Sequence, residues 1–305
     1  MVSVLLTGGT SFTGVWFADT LACADVKVHL ALRAPVSAYQ GARQARLRIL
    51  PASVMVHEGV QHGDGTLASL IREIGPDVVG FHAHPMDSFR DAGYDHVGAV
   101  AAMTAALPAE LDAAAATGSR IVYSGTVYEP RAERPAVSAY GISKNTVWEH
   151  LRFGAVAREI PTTRFVIPNP FGPGEEGRFG NYLAATWAKG ELPVVRTPDY
   201  VRDNIPVEEL AVRYLGAVTE PSGKTDTVNP SGYIETQGEF ALRVAREVGS
   251  RLSRDLPVDA LIDTPHPEPA VVVNDGSHSS TFELREKEYW DRYANFVAEQ
   301  LRGRD

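Results

Sequence analysis

The chain has 305 residues, 44% hydrophobic and 22% charged, a composition that excludes wholesale disorder. Its 29 Lys and Arg against 38 Asp and Glu leave a formal net charge of −9, which argues against a nucleic-acid-binding surface. The single cysteine, Cys23, cannot close an internal disulfide. The first residues carry no basic start or cleavage site, and no run of about 18 apolar residues occurs, so a cytoplasmic protein without a membrane span is expected.

Val2–Thr7 reads as a buried strand, followed at once by Gly8-Gly-Thr-Ser-Phe-Thr-Gly14. Val15–Cys23 then has helical apolar spacing, and Val26–Leu32 is a second strand. Strand, glycine turn, helix, strand is a βαβ unit and implies a parallel sheet. The alternation continues with strands predicted at 53–57, 77–81, 120–124 and 163–167, and helices at 67–74, 96–117 and 140–158. The helix at 96–117 is read as unbroken despite Pro108. This order gives an α/β fold, a doubly wound parallel sheet covered on both faces.

After Pro168 the texture changes to shorter elements interrupted by Pro and Gly. Residues 174–180 and 263–278 read as loops, and 289–301 as a packing helix with Trp290, Tyr293, Val297 and Leu301 on one stripe. The expected division is a dinucleotide-binding domain over 1–167 and a smaller, mainly substrate-binding domain over 168–305, with some segments returning to the first.

In the turn, Gly8 permits tight reversal, Gly14 permits close helix–strand packing, and the amides at the helix start suit a pyrophosphate. Ser11 takes the place of the usual middle glycine, with its hydroxyl expected to donate to phosphate. The second strand ends at Leu32-Arg33, where an NAD site usually carries Asp or Glu for the ribose 2′-hydroxyl. Without that carboxylate, and with Arg33 adjacent, NADP is the first expectation and NAD the alternative. Arg43, Arg46 and Arg48 are read as surface residues. Asp64, after the third strand, is a candidate carboxylate for the adenine amino group.

Tyr140 and Lys144 stand four apart at a helix start, so the ammonium lies near the phenol and lowers its pKa. Such a tyrosine exchanges a proton with a carbinol or carbonyl oxygen. Ser124, at the end of the preceding strand, is placed to hydrogen-bond the same oxygen, with Thr126 as a competitor. His82 and His84 close the strand at 77–81; without an accompanying carboxylate or cysteine at ligand spacing they make no metal site.

The glycine turn, Tyr123-Ser-Gly-Thr-Val-Tyr128, Tyr140-x-x-x-Lys144 with Glu149, Arg164 to Pro173 and Arg202 to Ala211 together resemble the extended short-chain dehydrogenase/reductase family. The resemblance implies a Rossmann-type domain, a homodimer and a nucleotide-diphosphate sugar as substrate. It assigns the triad to Ser124, Tyr140 and Lys144. Cofactor contacts fall to Gly8, Thr10, Ser11, Phe12, Gly14, Arg33, Asp64 and Ala83 together with Tyr140 and Lys144, and substrate contacts to Thr126, Asn169, Asn181 and Arg202. Four places depart from the family pattern: Ser11, the sequence Phe81-His-Ala-His84 in place of His-Leu-Ala-Ala, His96 in place of Asn, and the short Ser124–Tyr140 connection. Gly125-Thr126 stand where dehydratases carry Asp-Glu, which disfavours elimination. The first expectation is 4-keto sugar reduction with NADPH. The alternative is a 4-epimerase holding NAD, and a non-enzymatic dinucleotide sensor is a minority reading.

Overall fold

A computed structural model of the chain describes all residues except 87–92, 132–133, 221–224, 261–267, 275, 277–279 and 303–305. The chain divides into two compact units, one of Met1–Ile167 with Ala211–Asn229, the other of Pro168–Leu210 with Pro230–Asp305.

In chain order the first run of elements is β1 (Ser3–Thr7), α1 (Phe12–Cys23), β2 (Lys27–Leu32), α2 (Gly41–Arg48), β3 (Met55–Glu58), α3 (Thr66–Ile74), β4 (Val78–Phe81), α4 (His96–Thr104), α5 (Leu107–Thr117), β5 (Arg120–Thr126), α6 (Ala139–Val156) and β6 (Thr162–Ile167). There follow β7 (Asn169–Phe171), α7 (Phe179–Ala188), β8 (Val194–Val195), β9 (Val201–Pro206), α8 (Val207–Thr219), β10 (Thr225–Val228), β11 (Tyr233–Thr236), α9 (Gln237–Leu252), β12 (Asp259–Ala260), β13 (Val271–Val272) and α10 (Ser280–Arg302).

The first unit is built on a seven-stranded sheet in the order β10-β6-β5-β4-β1-β2-β3. Every pairing in it is parallel. The expected doubly wound α/β architecture is therefore present. The order reverses between β1 and β4, and in such sheets the crevice at the carboxyl ends of the strands at this switch is where ligands bind. Under one face of the sheet, Leu67 and Ile71 of α3, Leu107 and Leu111 of α5, and Val147, Leu151 and Ala155 of α6 join Val79, Phe81, Ile121 and Tyr123 in one core. On another cluster, Phe17 stacks 4.0 Å from Tyr214, with Phe165 edge-on to both.

The unbroken helix expected over 96–117 is two helices. Pro108 lies in the first turn of α5, where its missing N–H costs nothing, and the chain turns at Ala105–Ala106 before it. By length and composition alone this stretch is apolar enough to cross a membrane. In this structure α5 buries Leu107, Leu111, Ala113 and Ala114 against the sheet.

The second unit carries a four-stranded sheet, β11-β9-β13 with β7 also on β9, and a two-stranded β12-β8 pair. Its core gathers Phe171, Trp187, Phe240, Trp290, Tyr293 and Val297 from β7, α7, α9 and α10. The expected stripe on α10 packs inward at Trp290, Tyr293 and Val297. A capping box starts α9, with Thr236 and Glu239 satisfying each other's backbone amides. Within the segment expected as a loop over 263–278, Val271–Val272 forms the short strand β13, and 263–267, 275 and 277–278 lie outside the described residues.

Candidate active site

The carboxyl ends of β1 and β4 meet at the glycine turn. Gly8 has φ +76°, and a Cβ there would come within 2.8 Å of the Ala83 nitrogen. A Cβ on Gly14 would fall 2.3 Å from the Gly8 oxygen. Close backbone approach thus requires glycine at both positions, and Gly8 is in the left-handed region besides. Thr7 ties the two strand ends: its Oγ1 accepts from the His82 and Ala83 amides, each at 3.0 Å, and donates to the Gly80 carbonyl at 3.1 Å. Ser11 caps α1, accepting from the Gly14 amide at 3.0 Å. The first turn of α1, with its amides lacking intrahelical acceptors, and the cradle that a Cβ at Gly8 would fill, fit a dinucleotide pyrophosphate. The Ser11 hydroxyl, expected to donate to phosphate, lies 3.0 Å from Nε2 of His82.

His82 is the junction of this end of the sheet. Its Nε2 also lies 3.0 Å from Thr13 Oγ1, its Nδ1 lies 2.8 Å from Ser124 Oγ, and its ring stands edge-on to Phe17. Burial, reinforced by the Lys144 charge, drives its pKa down to about 3, so the imidazole is neutral. The Ser143 hydroxyl donates to the Tyr140 carbonyl, and Nε2 of the neighbouring His84 lies 2.9 Å from that hydroxyl's oxygen, which accepts from it. Burial first and Lys144 second also hold His84 well below its ordinary value.

The three triad candidates lie on β5 and α6. Ser124 is buried near the end of β5, while Tyr140 and Lys144 occupy the first two turns of α6, also buried. Ser138 caps that helix by accepting from the Gly141 amide at 3.3 Å. A Cβ on Gly141 would come 2.1 Å from the Tyr128 carbonyl, so glycine lets the first turn of α6 press against the β5 extension that carries Thr126. Tyr140 packs edge-on to His84 and Tyr94. Burial pulls the Lys144 pKa down to about 8, with Glu129 opposing and Arg164 assisting.

Buried Glu129 pairs with half-buried Arg164 beside Lys144. Glu129 also accepts from the Thr126 amide at 3.1 Å, and Arg164 donates to Asn145 at 3.0 Å. Burial raises the Glu129 carboxyl above its ordinary value even so. The sequence reading took neither residue as part of the site. An arginine inside the apolar strand β6, with a glutamate three residues past the end of neighbouring β5, was the available signal.

Other cofactor candidates separate. Ala83 sits at the Gly8 contact, and Thr10 and Phe12 lie in the turn. Arg33 is exposed just past β2. Arg46, expected at the surface, is buried and donates to the Thr10 carbonyl at 3.4 Å, so it braces the glycine turn from α2. Asp64 is occupied locally: it accepts from the Thr66 amide and hydroxyl and from Gln61, and the Thr66 bonds hold its carboxyl below the usual range.

Asn169, Asn181 and Arg202 belong to the second unit. Asn169 begins β7 opposite Asn204 of β9, and Asn181 on α7 accepts from the Gly177 amide at 3.3 Å. Arg202 is buried and its guanidinium is engaged internally, donating to the Val201, Pro269 and Ala270 carbonyls and pairing with Glu268 at 3.0 Å. Asp203 beside it accepts instead from the Gly232 and Asn274 amides. Among the described residues no three His, Cys, Asp or Glu side chains cluster to hold a metal.

A glycine turn at the switch point of a doubly wound sheet, with a buried serine on β5 and a tyrosine–lysine pair on α6, defines a dinucleotide-dependent enzyme of the extended short-chain dehydrogenase type. Residues 4–229 match the NAD dependent epimerase/dehydratase family, and the chain belongs to it. No curated protein matches the chain. Among solved structures it is similar to the UDP-N-acetylglucosamine 4-epimerase of Methanobrevibacter ruminantium in complex with UDP-N-acetylmuramic acid, at 16% identity and TM-score 0.75, over 98% of this chain and 99% of that one. The UDP-glucuronic acid 4-epimerase of Bacillus cereus, in complex with UDP-glucuronic acid and NAD, gives 14% identity and TM-score 0.75 over 98% and 99%. The UDP-glucose 4-epimerase of Thermus thermophilus, complexed with NAD, gives 18% identity and TM-score 0.70 over all of both chains.

Proposed function

We propose that the protein is a nucleotide-diphosphate-sugar 4-epimerase that retains NAD, with Ser124, Tyr140 and Lys144 as its catalytic residues. The observation that carries the chemistry is the burial of Ser124 beside α6, where Tyr140 and Lys144 stand one turn apart. The choice of reaction is supported by the solved structures, which are UDP-sugar 4-epimerases, two of them holding NAD. NADPH-dependent 4-keto reduction was the first expectation because Leu32-Arg33 stand where an NAD site carries a carboxylate. Arg33 is an exposed side chain past β2, and the findings support the epimerase better.

A nicotinamide dinucleotide, when bound, supplies the hydride acceptor and donor at the sugar C4. Gly8 and Thr10 of the turn, Phe12 and Gly14 at the start of α1, and Ala83 after β4 would hold it, with Lys144 on its ribose. Tyr140 takes the proton of the C4 hydroxyl and later returns it to the ketone oxygen. The Lys144 ammonium favours the phenolate in the first half of that cycle. Ser124 orients the same oxygen and stabilises its developing charge. Asn169, Asn181 and Arg202 are the proposed contacts to the nucleotide diphosphate. For Arg202 that contact requires exchange of its Glu268 partner.

Denaturing the purified protein and assaying the supernatant tests the reading directly. Released NAD, together with interconversion of C4 epimers without added cofactor, is the expected result. An empty protein that oxidises NADPH with a 4-keto sugar would restore the reductase. General acid–base catalysis contributes about 10²–10⁴-fold, so Tyr140→Phe should lower single-turnover hydride transfer by at least the lower figure and leave dinucleotide binding intact.

A further inference from the structure

We infer that His82 is a positioning residue that holds Ser124 as a one-way proton donor toward the substrate oxygen. The inference rests on the proposed role of Ser124 and goes beyond it, because a leucine usually stands at this place in the family pattern.

The argument is one of hydrogen accounting. Nε2 of His82 faces two hydroxyls, Ser11 Oγ and Thr13 Oγ1, each at 3.0 Å, and Nδ1 faces one, Ser124 Oγ, at 2.8 Å. Ser11 Oγ already accepts the Gly14 amide as the cap of α1. Its own proton therefore needs an acceptor, and among the described residues His82 Nε2 is the acceptor within reach. The Thr13 hydroxyl likewise has His82 as its partner. A proton on Nε2 would remove the one ring lone pair that the two hydroxyls share, leaving the hydroxyl of buried Thr13 and that of half-buried Ser11 without this acceptor, which is costly. Nε2 is accordingly the acceptor, and the ring's single proton sits on Nδ1 and is donated to Ser124 Oγ.

That arrangement decides what Ser124 can do. A hydroxyl that accepts from Nδ1–H keeps its own proton for another acceptor. The opposite tautomer would draw the Ser124 proton into the imidazole and leave only lone pairs facing the substrate's ketone oxygen, which repels them. The residue is held from two directions: by α1, through the Ser11 and Thr13 hydroxyls and the Phe17 ring, and by its own backbone amide on Thr7. It therefore transmits the position of the first turn of α1, where the dinucleotide phosphates are expected, to the serine on β5. No proton leaves His82 in this role; burial and the Lys144 charge keep the ring neutral.

Two measurements test the inference, and only the second depends on the proposed reaction. Nitrogen-15 correlation spectra of histidine-labelled protein, with the His82 ring assigned by comparison with His82→Leu, should show the proton on Nδ1 and none on Nε2. A proton on Nε2 overturns the inference whatever the enzyme's reaction proves to be. In single-turnover hydride transfer, a misplaced catalytic group costs on the order of tenfold to a hundredfold, the loss expected for His82→Leu and Ser124→Ala each. The double variant should be no slower than Ser124→Ala alone, since both remove one function. His82→Asn, whose side-chain amide donates from the place of Nδ1, should recover most of the rate. Multiplicative losses in the double variant, or no recovery with Asn where Leu folds, would overturn the role. Absence of any hydride transfer in the wild type would defeat the proposed reaction and leave the tautomer result to stand by itself.

Discussion

Tyr123 and Lys144 are joined twice. The Tyr123 hydroxyl donates to the Lys144 carbonyl at 2.7 Å, and the Lys144 ammonium lies 4.5 Å from the centroid of the same ring. One side chain of β5 thus fixes both the helix turn that carries the lysine and the lysine's charged end. Tyr123→Phe keeps the ring under the ammonium and removes only the hydroxyl bond. A net loss of about 1 kcal/mol in urea unfolding is expected, with hydride transfer changed less than tenfold. A larger kinetic loss would mean that the backbone at Lys144 needs this bond to hold its place.

Lys144 is a buried cation whose pKa falls from 10.5 to about 8. Between those values the unfolded chain binds the proton and the folded chain does not, so this group makes stability rise with pH from about 8 to 10.5. The same shift means that holding the charge at pH 7 costs folding about 3 kcal/mol. Lys144→Met should therefore be about 1–3 kcal/mol more stable near pH 7, the lower figure allowing for Glu129 losing a neighbouring charge, while hydride transfer is lost. Thermal melts at pH 7 and 10 check the sign: the gain should shrink at the higher pH.

Glu175 behaves oppositely. Burial raises its carboxyl to about 7, and Tyr293 donates to its Oε1 at 3.1 Å. Its folded pKa exceeds the ordinary 4.5, so its contribution is full below about 4.5 and is lost as pH rises through 7. Glu175→Gln keeps an acceptor for Tyr293 and removes the titration. The variant should melt higher than the wild type at pH 8 and lose that advantage at pH 5.

The outer face of α6 presents Ile142, Phe153 and Val156 at 46%, 78% and 57% exposure. Val147, Leu151 and Ala155 of the same helix lie in the chain's own core. If a second copy covers this helix, it does so on Phe153 and Val156. Phe153→Glu should convert a dimer to a monomer by light scattering at micromolar concentration, with secondary structure unchanged. A wild-type monomer would remove the expectation of a homodimer.

These faces show where sequence periodicity stops. Helix α6 has apolar residues on two stripes, and spacing alone does not say which one meets the sheet. Gly8 and Gly14 were legible because their backbone contacts tolerate no Cβ, a demand that leaves its mark locally. The strands of the parallel sheet were legible because burial on both faces makes them continuous apolar runs. Strand β10, Thr-Asp-Thr-Val, is a mostly exposed edge and lacks that mark. Strands of two or three residues, such as β8, β12 and β13, are too short to have a period. The bonds of His82 join residues some 40 to 70 positions apart and have no sequence signature.

The position of β10 also orders events on the ribosome. When the chain has emerged only as far as Ile167, six of the seven strands of the first sheet are present, and β6 offers an unpaired edge. Its partner arrives only after the first stretch of the second unit, Pro168–Leu210, has been made. Until then nascent chains on one polysome expose the same parallel edge to one another, the geometry that favours intermolecular strand pairing. A protein truncated at Ile167 would carry that open edge permanently, along with an uncovered Phe17 and Phe165 where Tyr214 packs. The first unit therefore cannot be separated by one cut; it needs the return segment Ala211–Asn229 supplied with it.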